Sequence, residues 1–147
     1  MKHIKQAACA LTLALLSTAL WAADDAGVVK TRKGSVVVER SGQKLDAVVG
    51  TRILSSDRIT TAADSAVGIT LRDNTVLSAG PNSTVDLNKF AFNTTTHAGT
   101  IDASVKRGTL SVISGKIAKA TPEAVSFSAP GMTLGVRGTS FVIDAGP

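Results

Sequence analysis

Few side chains in this sequence of 147 residues could carry chemistry. Its two histidines are His3 and His97, and its one cysteine is Cys9. A zinc site draws its protein ligands mainly from cysteine and histidine, and a Ser-His-Asp triad would have to use His97 as its base. Nothing around Ser104 or Ser111 resembles the tight turn that presents a nucleophilic serine. We interpret His97 as an exposed loop residue, and we predict no catalytic residue, no metal site and no cofactor.

The carboxylates are dispersed as well. The sequence has 11 acidic residues, and they stand singly in turns and on strand exteriors rather than in paired motifs. Glycosidases and aspartic proteases need two carboxylates that converge. We interpret Asp57 and Asp73 as turn-capping residues, because aspartate bonds the backbone two residues on. The sequence therefore predicts that the protein is not an enzyme, and a hydrolase on a β scaffold is the weakest of the hypotheses.

Sites for phosphate or nucleic acid are not supported either. The segment 131–138 is rich in glycine, but its spacing is not that of a phosphate loop and no helix follows it. The basic clusters Lys30–Lys33 and Lys106–Arg107 are small, and aromatics make up only 3% of the sequence. Binding of nucleic acid favours more positive charge with interleaved aromatic residues. We predict no nucleic-acid partner and interpret these charges as solvated strand ends.

The first two dozen residues have the pattern of an export signal. A basic start, Met1 to Lys5, precedes an uncharged stretch of 17 residues, Ala7 to Ala23. Small residues then lead into an acidic pair, which is typical of a secretory signal peptide. We predict a signal peptide over 1–22, cleaved after Ala22, with a retained membrane anchor as the alternative. Cleavage would remove Lys2, Lys5 and Cys9, so the mature chain would carry a formal charge of about +3 and no thiol.

Beyond residue 26 the apolar residues recur every second position. Val67, Ile69 and Leu71 alternate with polar or small residues, and the same pattern recurs in the runs 85–88, 101–106, 109–112, 132–136 and 141–143. Successive side chains of a strand face opposite ways, so each run has one apolar face. Turn residues separate the runs every 8 to 12 positions, which predicts an all-β domain.

For the arrangement of the strands, the sequence leaves two architectures open. The apolar residues are small, which favours an irregular β-solenoid-like or flattened β-roll arrangement over a β-sandwich. Helix signals are nearly absent beyond residue 26; the one candidate helix is 117–120, and Pro122 would end it. The segment 89–99 breaks the alternation and is a candidate protruding loop or hairpin.

The sequence also resembles a known family. The run Ala129–Phe141, which we call the terminal signature, closely resembles the segment that ends the FecR-like periplasmic domain, with its Val-Arg-Gly-Thr core. Earlier blocks at 49–61, 67–75, 77–83 and 108–112 are similar to FecR segments in the same order. The resemblance covers about 27–143 and implies one FecR-like all-β domain over 27–144, located in the periplasm or secreted.

The resemblance also marks individual positions. Those of the terminal signature are Pro130, Gly135, Val136, Arg137, Gly138, Thr139 and Phe141, and the turn positions are Gly50, Asp57, Asp73 and Asn74. FecR domains often have glycine where this chain has Ser56 and Asn74. We favour a structural role for Arg137, in which its guanidinium bonds carbonyls or an acid within the domain. The alternative is that Arg137 binds an acidic group of a partner.

We therefore expect an exported, non-enzymatic domain that binds another envelope component and relays a signal. The alternative is a structural protein that associates with itself through exposed strand edges. The resemblance does not carry sigma-factor control to this chain, because no part of the sequence matches the cytoplasmic segment, the membrane helix or the further periplasmic subdomain of the family's namesake. We expect no membrane span after cleavage of the signal.

Overall fold

The computed structural model describes residues 25–138 and 140–147, and almost all of its regular structure is β. The strands are β1 (Asp25–Lys33), β2 (Val36–Arg40), β3 (Gln43–Asp46), β4 (Arg52–Leu54), β5 (Arg58–Thr61), β6 (Ala66–Leu71), β7 (Val76–Ala79), β8 (Thr84–Phe92), β9 (Gly99–Arg107), β10 (Thr109–Ile113), β11 (Val125–Ala129), β12 (Met132–Gly135) and β13 (Ser140–Asp144). One helix, α1 (Lys116–Ala120), and a 3₁₀ turn, Pro122–Ala124, lie between β10 and β11. The prediction of an all-β fold is confirmed.

The strands form two sheets. Sheet A has the order β13-β10-β7-β6-β1-β4, and sheet B has the order β12-β11-β9-β8-β5-β2-β3. Neighbouring strands are antiparallel except β9 and β11, which are parallel. Because the chain passes repeatedly from one sheet to the other, both sheets grow almost in chain order. Their early strands therefore lie at one end and their late strands at the other.

One apolar core contains the inward residues of both sheets. Val67, Ile69 and Leu71 of β6 are each at most 4% exposed, and the residues between them face outward. The core is almost entirely aliphatic, and among the residues that the structure describes Phe127 is its one fully buried ring. A cavity between the sheets, lined by Ile59, Leu77 and Leu110 among others, has a volume of about 10 Å³. Stability therefore comes from close packing of small side chains, and this space is too small to hold a ligand.

Two local predictions can be compared with the structure directly. The helix forms at Lys116–Ala120 and ends before Pro122, as predicted. In the segment 89–99, β8 continues to Phe92 and β9 begins at Gly99, so the segment is the end of a hairpin with its turn at 93–98. The Asn93 side chain accepts the N–H groups of Thr95 and Thr96, and these bonds stabilise the turn.

The predicted signal peptide, 1–22, lies outside the described residues. Among the residues that are described, no helix combines the length and the apolar character needed to cross a bilayer.

Candidate functional site

The terminal signature forms the passage from sheet B to sheet A. Ala129 pairs with Met132 across a two-residue turn at Pro130 and Gly131, and Gly131 has φ +79°. Proline followed by a left-handed glycine suits a type II turn. β12 then runs to Gly135, the chain crosses between the layers at 136–138, and β13 pairs with β10.

One side of this crossing is anchored by apolar packing. Val136 is only 7% exposed. Phe141 is half-buried, and its ring meets the ring of Phe127 edge to face, with 5.3 Å between the ring centres. An edge-to-face aromatic pair contributes about 0.5–1.5 kcal/mol beyond the area that it buries. These residues close the core between the last strands of the two sheets.

The polar residue of the signature faces outward instead. Arg137 is exposed, and its guanidinium makes no hydrogen bond or ion pair with residues 25–138 or 140–147. The internal bonds that the sequence favoured for Arg137 are therefore absent from the described part of the chain. Gly138 has φ +151°. A cleft next to Arg137 is lined by Leu134–Gly138 and Ser140–Val142. Thr139 lies outside the described residues.

β12 and β13 are the last strands of their sheets, and within residues 25–138 and 140–147 each pairs with one neighbour. We call them together the C-terminal edge. Three large apolar side chains are exposed on or beside it: Met132 at 51%, Val142 at 69% and Ile113, on the adjacent β10, at 53%. An unpaired strand with exposed apolar residues can accept a further strand.

We call the two packed sheets the stack. Its other end, which contains the terminal strands β3 and β4, is held together around Asp57. This carboxylate is 1% exposed and accepts Arg40 Nε at 2.9 Å and Arg40 Nη2 at 2.7 Å. It also accepts the N–H of Leu54 at 2.8 Å. These bonds to Asp57 raise the pKa of the Arg40 guanidinium above its usual value. The raised pKa means that Asp57 stabilises the charged form of Arg40 in the folded protein.

Arg40 extends this bonding to the neighbouring strand. Its Nη2 also donates to the carbonyl oxygen of Arg52 in β4, at 2.9 Å. Gly50, in the loop before β4, has φ +94°, and its N–H donates to the Val29 carbonyl in β1. The loop and β4 are therefore fixed to β1 and β2 at the end of the stack.

Asp73 is a second buried carboxylate with a structural environment. It is 0% exposed and lies in the β6–β7 turn. It accepts the N–H and the hydroxyl of Thr75 at 3.1 and 2.7 Å, and the N–H of Ile117 at 3.2 Å. It therefore joins this turn to the start of α1. A side chain at Gly115 would collide with the Asp73 carbonyl, which shows how closely the two segments approach.

The two positions where FecR domains often have glycine share one backbone conformation. Ser56 has φ +72° and Asn74 has φ +69°. This left-handed region favours glycine, and asparagine tolerates it better than most other residues do. The turns before Asp57 and after Asp73 thus keep the geometry that glycine suits, although both residues here carry side chains.

Four of the other eight acids in the described ranges form ion pairs with cations. The pairs are Arg32–Asp46, Lys44–Glu39, Arg52–Asp25 and Arg58–Asp86, in addition to Arg40–Asp57. Within the described ranges, no three histidine, cysteine or acidic side chains come together as a metal site would require. His97 is exposed in the hairpin turn, and its ring is stacked on Phe92 with 6.2 Å between the ring centres.

The comparison with known families agrees with this geometry. The family model described as FecR protein matches residues 57–147, which include the terminal signature and every strand from β5 onward. The chain belongs to the FecR family. FecR domains are related to signalling and are not known as enzymes. No curated protein and no solved structure matches the chain.

Two features of the site were missed by sequence reasoning. Arg40 was not singled out, because its partner Asp57 lies 17 positions away and the two meet only when β2 pairs with β5. The open C-terminal edge was also missed, since the order of strands within a sheet is not visible in the apolar pattern. The available signal was Val142, an apolar residue between Phe141 and Ile143 that interrupts the alternation.

Proposed function

We propose that this FecR domain is an exported, non-enzymatic binding module of the cell envelope, which contacts another envelope component through its C-terminal edge. The observation that carries the proposal is the exposure of β12 and β13. No other strand that the structure describes pairs with their outer sides, exposed apolar residues flank them, and they lie within the range that the FecR model matches. Membership in a signalling-related family supports a role in relaying an envelope signal.

Strand addition is the mode of binding that such an edge suits. A partner segment in extended conformation would form hydrogen bonds with the exposed backbone groups of β13. Its side chains would contact the surface beside β13 and provide specificity. Arg137 adds a positive charge beside this strand, and its guanidinium is suited to bind a carboxylate of the partner. The partner is accordingly a protein with an extended segment that carries an acidic residue.

The absence of enzymatic activity belongs to the same proposal. The buried carboxylates Asp57 and Asp73 are each satisfied by hydrogen bonds that hold turns together. A general acid or base must instead reach the group whose proton it transfers. The two buried acids thus stabilise turns of the fold.

The location is proposed from the sequence. The pattern over 1–22 favours export, and fractionation of cells that produce the complete chain tests it. Mature protein in the periplasmic or extracellular fraction, beginning near residue 23, is the expected result. Full-length chain in the membrane fraction would show that the segment is retained as an anchor.

For the architecture we infer a flattened β-roll rather than a sandwich of two independently connected sheets. The chain alternates between the sheets, and each sheet adds its strands almost in chain order. A roll grows along its axis in this way, whereas a Greek-key sandwich places distant strands side by side. The antiparallel pairing distinguishes this roll from a regular parallel solenoid.

Cross-linking in the living envelope tests the docking surface. A photoreactive residue replaces Ser140 on β13, and a control replaces Val49, which is 61% exposed at the opposite end. We expect an adduct from position 140 and none from position 49. Val142→Pro should abolish the adduct, because it removes a backbone donor from the open side of β13. Equal adducts from both positions, or an adduct that survives Val142→Pro, would contradict docking at this edge.

Arg137→Ala separates binding from folding. We expect a weaker adduct from position 140 while the melting temperature stays unchanged, since the described residues make no bond to this guanidinium. A clear fall in the melting temperature with the adduct intact would restore the structural role for Arg137.

A further inference from the structure

The open backbone of β13 fits one occupant in particular. We propose that a second copy of this chain pairs with it, β13 against β13 in antiparallel orientation, about a two-fold axis at Val142. The proposal rests on the proposed function, since it names the partner of the same edge. It makes sheet A continuous across two protomers.

The direction of the backbone groups follows from the bonds of β10. The Gly80 N–H donates to the Thr109 carbonyl on the β7 side, and the Ala145 N–H donates to the Gly108 carbonyl on the β13 side. Backbone groups alternate in direction along an antiparallel strand. Leu110 and Val112 therefore bond Ile143 and Phe141, their partners in register. Ser140, Val142 and Asp144 consequently present their N–H and C=O groups to the open side.

A two-fold axis at Val142 uses all of these groups. Val142 pairs with Val142 of the second copy, and Ser140 pairs with Asp144 in both directions. Since the exposed groups lie at alternate positions, these are the hydrogen-bonded pairs of an antiparallel ladder, and about six backbone bonds form. No backbone donor or acceptor of β13 is then left without a partner in the sheet.

The side chains are complementary in the same register. On the outer face, Val142 at 69% exposure meets its own copy, close to Ile113 at 53%. On the inner face, the half-buried Phe141 comes opposite Ile143, so the core extends across the axis. The one charge, Asp144, faces the Ser140 hydroxyl rather than another carboxylate. Cross-strand apolar pairs stabilise a sheet, and like charges directly opposite each other destabilise it.

The other three terminal strands do not offer this match. β4 has only three residues, and β3 carries Lys44 and Asp46, which are ion-paired within the chain. β12 ends at Gly135, which has no side chain to pack. A C₂ interface must be self-complementary, and among the terminal strands that the structure describes, β13 meets this condition best.

The first experiment measures the oligomeric state of the purified protein, produced from its complete sequence, by sedimentation and light scattering over a range of concentrations. We expect a dimer. Val142→Pro should raise the dissociation constant at least tenfold with β10 pairing intact, because its N–H points away from β10 and proline is tolerated on that side of an edge strand. Lys44→Pro, on the edge strand β3, is the matched control and should leave the dimer unchanged. A monomer at every concentration, or a Val142→Pro protein that still dimerises, would overturn the proposal.

Charge variants test the register without a proline. Ser140→Asp places two carboxylates opposite each other and should weaken the dimer severalfold. Ser140→Lys places a cation opposite Asp144 and should tighten it. The double variant Ser140→Asp with Asp144→Lys should restore dimerisation. If both single variants had the same effect, the antiparallel register about Val142 would be wrong.

Failure of this inference is distinguishable from failure of the proposed function. A chain that is monomeric in solution, but whose adduct from position 140 contains a different protein and is lost on Val142→Pro, excludes the self-pair and keeps the docking edge. If the position 140 adduct contains two copies of this chain and disappears with Val142→Pro, the self-pair is supported in the envelope as well.

Discussion

The two ends of the stack treat the same physical problem in opposite ways. In the part of the chain that the structure describes, both end in strands whose outer backbone groups have no strand partner. At the N-terminal end β4 is short, β3 carries paired charges, and Arg40 bonds both Asp57 and the Arg52 carbonyl. At the C-terminal end β13 is five residues long, has one charge and exposes Val142. Short length and charge are the usual ways to prevent an edge from pairing with other chains. β3 and β4 use them, whereas β13 has neither the short length of β4 nor the paired charges of β3.

The difference indicates which end is available to a partner. Stability at the N-terminal end depends on a buried ion pair and its hydrogen bonds, whereas the C-terminal end is held by aromatic and aliphatic packing behind an open strand. The variants described next weaken each end separately and so test whether this division is real.

Phe127→Ala should have the largest effect on stability. The ring is fully buried and packs against Phe141, so its loss leaves a cavity between the last strands of the two sheets. We expect the free energy of unfolding in urea to fall by about 3–5 kcal/mol. A loss below about 1 kcal/mol would show that the C-terminal end is not held by this packing. Phe127→Leu serves as the milder control.

Asp57→Ala should cause the second largest loss of stability. It removes the acceptor of the Leu54 N–H and leaves Arg40 without its carboxylate. Arg40 is about a third exposed and can be hydrated, so we expect a loss of about 2–3 kcal/mol in the same urea titration. The dissociation constant of the dimer should not change, because Asp57 lies at the far end. Loss of dimerisation at full folding would contradict the separation of the two ends.

The matched pair Val142→Lys and Val49→Lys compares exposed valines at the two ends. Neither change should alter the melting temperature of the monomer by more than a few degrees, since both side chains are solvated. Val142→Lys brings two cations together at the proposed axis and should weaken dimerisation at least tenfold, whereas Val49→Lys should leave it unchanged. Equal effects of the two variants would place the interface elsewhere.

Arg58→Ala should have the smallest effect. The Arg58–Asp86 pair lies on the outer face of sheet B, and the bonds to Asp86 raise the pKa of Arg58, whose side chain is 48% exposed. Exposed ion pairs contribute little to stability. We expect no measurable change in melting temperature, in contrast to the buried pair at Asp57. A substantial loss would mean that the outer face contributes to holding the sheets.

The sequence predicted those strands in which period two is unbroken. β6, β9 and β10 each show alternating apolar residues, and each forms where the pattern lies. The first strand was not delimited, because its pairing shifts between Val29 and Thr31 and the inserted Lys30 interrupts the alternation. A register shift of this kind is a property of two paired strands, and one strand read alone does not reveal it.

The candidate site was predictable only in part, for a similar reason. The terminal signature was identified from Pro130 to Phe141, and the resemblance placed it in the FecR family. Arg137 faces outward because of the way in which the chain crosses between the sheets at 136–138. That β13 is an edge depends on β10 having β7 on its other side. Both are long-range facts of topology, and local residue patterns do not encode them.

The near-sequential growth of the two sheets has a consequence for biogenesis. A polypeptide leaves the ribosome with its N-terminus first. Strands β1 to β9 can therefore pair as they are synthesised, because each new strand meets a neighbour that has already been made. The parallel β9–β11 pairing forms only after Val125–Ala129 has been synthesised, and β13 pairs only after Ser140–Asp144 has followed. A chain that ends before residue 140 would therefore leave β10 as the last strand of sheet A, with its backbone groups exposed. In the full-length molecule β13 covers β10 and is itself the exposed strand.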